Sequence, residues 1–141
     1  MAIDEFLLRR FERPDEVREF PLGRFELVRI GGMTIGRATY EPGWRWSEHV
    51  GSGPDDRCMV EHLGLVVSGR AAVAGPDYEG VMEAGDIFAV PPDHDSWVVG
   101  DEAYVSLHFL GADAYAARSR TALRSRPDLA AKCADAGQVQ D

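Results

Sequence analysis

The chain has 141 residues, 45% of them hydrophobic, which suits one domain with a buried core. Its formal net charge of -9 argues against the clustered lysines and arginines that a nucleic-acid backbone demands. Two cysteines, Cys58 and Cys133, are too few for a disulfide-stapled secreted domain, and nothing reads as a signal peptide or membrane span, so a reducing cytoplasm is the expected location.

Residues 1–20 mix Phe6, Leu7, Leu8 and Phe11 with Arg9, Arg10, Glu12 and Arg13. The spacing predicts a short amphipathic helix broken by Pro14, or an arm, packed on the domain or on a second subunit. This element is assigned to residues 1–24, a β-domain to 25–111, and a short helix with a mobile tail to 112–141. From Phe25 the hydrophobic pattern becomes that of strands, predicted over 25–30, 34–40, 63–67, 70–74, 79–82, 87–90, 97–99 and 104–109. Turn signals at Gly31, Gly32, Pro42, Gly43, Gly69, Gly85, Pro91 and Pro92 separate them, and the fold class is all-β, a sandwich or barrel. Residues 50–57 (VGSGPDDR) read as a loop at the mouth of whatever lies beside His49 and His62. After Gly111 a short helix is predicted over about 112–125, and the last dozen residues lack the periodicity to bury anything.

All four histidines, His49, His62, His94 and His108, fall in the β-domain. A metal centre built from His49, Cys58, His62 and His94 offers one thiolate and three imidazoles, a set that zinc accepts tetrahedrally. Cys58 and His62 face the same way in an extended strand but lie roughly 13 Å apart there, so joint coordination needs a bend near Met59 and Val60. The competing reading makes Cys58 a small buried hydrophobe and the histidines hydrogen-bonded core groups. His94 lies at a turn, where period two does not decide whether it or Ser96 faces inward. His108 shares a side with Tyr104 and Ser106, as pocket lining or as a core histidine. Trp44 and Trp46 alternate on a predicted strand, and Trp97 follows the second cluster of turns; they either wall a small-ligand pocket or fill a barrel end or subunit interface. Neither a phosphate-binding glycine loop nor a nucleophile elbow is present.

The order of a Pro-Gly turn with a histidine after it, a strand ending VVSGR at residues 66–70, and AGD at 84–86 followed by Pro91, Pro92 and His94 resembles the two motifs of the cupin superfamily over residues 33–111. The resemblance implies a cupin-type β-barrel or jelly roll of about eight to ten strands. In that family the first motif supplies two histidines and a glutamate to a metal and the second a third histidine. Here His49 stands at the usual first histidine, His62 at the usual glutamate, Gly51 or Cys58 at the second histidine, and Ser96 at the second-motif histidine with His94 two residues earlier. The implied cofactor is a divalent metal, zinc ahead of iron, manganese or nickel, and the implied partner is a small organic molecule, with neither nucleic acid nor membrane. Exposed edge strands add the expectation of a homodimer. The expected activity is metal-assisted binding or conversion of that molecule; the alternatives are a metal-free or structurally metallated sensor, and a scaffold whose site has decayed.

Overall fold

The computed structural model describes residues 3–117, and structural statements below concern that span. Nine strands and one helical turn occupy it: β1 Glu16–Phe20, β2 Gly23–Ile30, β3 Met33–Tyr40, α1 Trp46–His49, β4 His62–Ser68, β5 Arg70–Ala74, β6 Glu79–Glu83, β7 Ile87–Val90, β8 Asp95–Val99 and β9 Tyr104–Leu110. They form a six-stranded antiparallel sheet ordered β1-β2-β3-β9-β4-β7 and a three-stranded sheet ordered β6-β5-β8. The chain passes between the sheets at Gly69, whose positive φ of 76° permits the turn between β4 and β5. Inward side chains of both sheets, among them Phe25, Leu27, Val66 and Phe88 from one and Ala71, Val73 and Val98 from the other, make a single core. No helix among the described residues is long and apolar enough to cross a membrane.

The predicted strands are all present, most lengthened by a residue or two. Other expectations need correction. The N-terminal residues to Pro14 form an irregular arm rather than a helix, with Phe6 86% and Leu8 78% exposed. A helix this short is marginal without a surface to bury its apolar face, and polar contacts hold the arm instead. Arg9 donates to the Arg29 carbonyl at 2.9 Å and pairs with Asp15 at 2.7 Å, while Arg37 stacks over Phe11 at 5.0 Å. Trp44 and Trp46 do not share a strand: Arg45 makes an isolated bridge to Trp97, and Trp46–His49 then coils into α1. Asp95 sets this turn by accepting from the Ser47 backbone at 3.0 Å and hydroxyl at 2.9 Å and pairing with Arg45 at 2.8 Å. Turns, not a regular helix, occupy residues 112–116; the rest of the helix predicted over 112–125, and the tail, lie outside the described residues.

Sheet register places Gly36, His108, Gly64 and Phe88 side by side on β3, β9, β4 and β7, all at inward positions. The two glycines open a slot around the His108 ring, which Phe25 and Phe88 fill edge-on at 5.2 and 5.5 Å. A Cβ on Gly36 would strike the Phe25 ring, and one on Gly64 the Leu107 carbonyl and the Phe88 ring. The adjacent outward row, Arg37, Leu107, Leu65 and Ile87, is charged near the arm and apolar towards β7, where Ile87 is 78% exposed on a strand that pairs only with β4.

Overpacking in a sheet interior costs about 1–3 kcal/mol. Gly64→Ala should therefore lower the free energy of urea unfolding by about 2 kcal/mol. Gly80→Ala, on β6 with open space where the Cβ would stand, should change it by no more than about 0.5 kcal/mol.

Candidate metal centre

Cys58, His62 and His94 come together from three places in the chain. Residues 59–61 leave the regular strand geometry before β4 starts at His62, which supplies the bend that the Cys58–His62 spacing requires. On its other side Cys58 is tied to the turn before β8 by a reciprocal backbone pair. The Cys58 N–H donates to the His94 carbonyl at 2.7 Å, and the His94 N–H to the Cys58 carbonyl at 3.1 Å. One donor atom from each of the three side chains lies within 4.8 Å of the others, and all three residues are buried.

The donor set fits a zinc-like ion. Tetrahedral zinc with sulfur at ~2.3 Å and nitrogen at ~2.0 Å holds those two atoms ~3.5 Å apart, and Cys58 Sγ stands 3.7 Å from His62 Nε2. His94 donates its Nδ1–H to the Pro91 carbonyl at 2.8 Å, which leaves Nε2 with its lone pair, the arrangement that orients a metal-binding imidazole. His62 Nδ1 is buried without a hydrogen-bond partner.

Burial keeps the imidazoles of the cluster neutral when no cation is bound. Burial drives the His62 imidazole well below its usual range, and the neighbouring His108 and His94 push it the same way. His94 is lowered by burial, partly offset by the Pro91 carbonyl and by Asp95 and Asp93. His108 falls to about 3, through burial and then His94. Neutral imidazole is the form that binds a metal.

The structure brings some of the sequence-derived residues to this place and leaves others elsewhere. His62 and His108 lie with their rings 5.2 Å apart, and Ser106 Oγ stands 3.0 Å from His108 Nε2. Ser96, Tyr104 and His108 line a cavity of about 30 Å³ next to His62 and His94, with Val73, Met82, Phe88 and Val90 supplying its apolar wall. Both Ser96 and His94 thus border the cavity, and His94 carries the cluster. His49 stands apart on α1, where its Nδ1 accepts from the Arg45 N–H at 2.9 Å. The tryptophans also lie elsewhere: Trp44 stacks on Tyr40 at 3.8 Å, Trp46 is buried in the core, and Trp97 lies under the Arg45 guanidinium at 4.2 Å.

Besides the apolar wall, two tyrosines of the cavity escaped sequence reasoning. Tyr40 ends β3, and Tyr115 follows the last strand in the stretch read as helix and tail. The signal for Tyr115 was its being the single aromatic residue after Phe109.

With this geometry in hand, the likeness to known structures can be weighed. A cupin 2 conserved barrel domain protein from Salinispora arenicola superposes with a TM-score of 0.54 at 17% identity, over 84% of this chain and 99% of that one. The fold is a cupin fold. Coconut cocosin and procruciferin, an 11S globulin from Brassica napus, superpose with TM-scores of 0.54 at 17% and 16% identity, over 70% and 73% of this chain. The chain spans only 31% and 30% of those two proteins. No protein-family model matches the sequence, and no curated protein does.

The low histidine affinities for protons make stability depend on pH with a definite sign. Because burial depresses the folded-state values, the unfolded chain takes up protons that the folded chain refuses. Stability is complete above about pH 6.5 and falls as pH drops towards about 3, the folded value for His108. Urea unfolding of chelator-treated protein should show a loss on the order of 1 kcal/mol per pH unit from His108 between pH 6 and 4, with His62 and His94 adding in the same direction. His108→Leu should flatten that slope, and an unchanged slope would exclude the buried neutral imidazole.

Proposed function

We propose that this cupin binds a divalent metal, zinc by preference, through Cys58, His62 and His94, and binds or converts a small organic molecule beside it. The observation that carries the reading is the convergence of one thiol and two imidazoles, all buried, within 4.8 Å. A soft sulfur donor with two nitrogens favours zinc over the harder cations that oxygen ligands select. Three protein ligands leave a fourth position for an outside molecule. A metal bound there supplies Lewis acidity, polarising a carbonyl or making bound water a nucleophile near neutral pH. The chain's own residues do the rest: the Pro91 carbonyl fixes the His94 tautomer, and the apolar wall of Val73, Met82, Phe88 and Val90 limits competing water.

A second reading, a metallated binding or sensor module without catalysis, is favoured by the cavity volume of about 30 Å³, which is little more than a water molecule occupies.

Protein purified without a tag and loaded with zinc should carry close to one equivalent by elemental analysis. His62→Ala and His94→Ala should each weaken metal affinity at least about tenfold. Cobalt(II) in its place should give a thiolate charge-transfer absorption that Cys58→Ser abolishes while leaving the d–d bands of the imidazole-bound ion. Metal-free protein after growth with ample zinc, iron, manganese and nickel would overturn the metal reading.

The proposal extends to a homodimer. Its support is the apolar outer face of Leu63, Leu65, Val67 and Ile87, running out to the free edge of β7. Sedimentation should give twice the chain mass for the wild type and a single chain mass for Ile87→Lys, with the thermal transition of the two agreeing in cooperativity.

A further inference from the structure

The wall of the cavity opposite the cupin strands comes from outside them. After β9 the chain turns at Gly111, and Tyr115 from the following turn lies against the cluster. Its ring meets His62 edge-on at 5.1 Å and Phe25 at 4.9 Å and lies nearly parallel to His108 at 6.1 Å. Two polar anchors fix it. The phenol hydroxyl is bonded to the Tyr40 hydroxyl at 2.8 Å. The Tyr115 carbonyl accepts from the buried Arg18 guanidinium at 2.6 Å, and the same nitrogen reaches the Ala112 carbonyl at 3.2 Å. Arg18, buried inside β1 and paired through Nε with Glu16 at 2.8 Å, turns its Nη1 to the carbonyls of this turn and so fixes where the turn sits.

With Tyr115 so held, the remaining space is about 30 Å³, whereas pockets that enclose drug-sized ligands run to some hundreds of Å³ (about 300–1,000). The residues lining it include no arginine, lysine, aspartate or glutamate among the described residues. With no cation held by Cys58, His62 and His94, a charged molecule entering would lose its hydration without gaining a counter-charge from the side chains, a penalty of several kcal/mol. Neutral donors and acceptors are on offer instead, at Ser96, Ser106 and the tyrosine hydroxyls.

We propose that Tyr115 is the residue that sets the size limit of this site, so that its ligand is a compact uncharged molecule of a few non-hydrogen atoms. The inference rests on the reading of the cavity as a small-molecule site and names the class of molecule it takes. An aromatic ring is excluded by the Tyr115 ring itself, and shortening that side chain makes room for one next to His62 and His108.

The test uses phenol as a neutral ring and benzoate as its charged counterpart, titrated into the chelator-treated full chain and followed by the methyl resonances of Met82 and Val90. Wild type and Tyr115→Phe should show no saturable shift with either probe. Tyr115→Val should show saturable shifts with phenol at millimolar concentration and none with benzoate. Tyr115→Leu, which keeps an apolar side chain in the wall, serves should the smaller residue unfold the domain. Saturable uptake of phenol by the wild type would overturn the inference, and so would its absence in the folded variants or equal uptake of benzoate. Cobalt(II) uptake is then scored on the same variants without the probes. Failure to bind cobalt removes the metal reading, while the phenol pattern decides the size limit independently.

Discussion

The candidate site depends on one short piece of backbone pairing, the reciprocal bridge between Cys58 and His94. Two hydrogen bonds, at 2.7 and 3.1 Å, join a loop that precedes β4 to the turn that precedes β8. Neither segment is a strand, but the bridge continues the antiparallel register of β4 and β7, in which His62 pairs with Val90, beyond the ends of both strands. The bridge sets the thiol beside one imidazole, and the bend that follows turns His62 back towards the same point. A donor triangle is thereby held by main-chain bonds, whose geometry a side-chain substitution does not alter. Pro91 then accepts the His94 Nδ1 proton at 2.8 Å, so backbone fixes both where the ring sits and which nitrogen is open.

A second constraint is desolvation. Three histidines are buried together without a carboxylate among them, which is tolerable only while they stay neutral. The slot between Gly36 and Gly64 and the edges of Phe25 and Phe88 makes His108 part of an apolar wall as much as a polar group. The same burial raises Tyr104 to about 12, with Asp86 adding to the shift and Ser106 opposing it. A cation entering this cluster meets neutral imidazoles and displaces the thiol proton, and its binding energy becomes available to folding. Stability, metal affinity and pH response are consequently one property of the interior rather than three.

The chain departs from the ligand pattern that the sequence resemblance implies in a way that has a structural rationale. His49, at the usual first ligand position, is drawn onto α1 because Asp95 captures Ser47 and Arg45 and coils the chain there. The cluster is formed by Cys58, His62 and His94 without it. Tyr115 closes the opposite side, clamped by Arg18 from β1. Both ends of the described chain therefore contribute to a site whose recognisable motifs lie in its middle.

Alternating apolar residues and turn formers made eight strands and the fold class legible from the sequence alone, because a side chain in a strand must choose between two faces every residue. β1 was missed for the same reason: its inward residue is Arg18, a cation where the pattern calls for an apolar group. The concentration of histidines in one region was equally legible, as was the need for a bend between Cys58 and His62. Which of them meet was not, since Cys58 and His94 are joined across 36 positions by hydrogen bonds of the backbone, and backbone groups are the same in every residue. Tyr115 likewise sits in a turn without periodicity, and its place is set by a guanidinium nearly a hundred residues away. The amino-acid sequence by itself determined the strands, their turns and the supply of donor atoms. Only the tertiary structure decided which donors share a centre and how much space is left beside them, because long-range main-chain pairing and packing carry no local sequence signature.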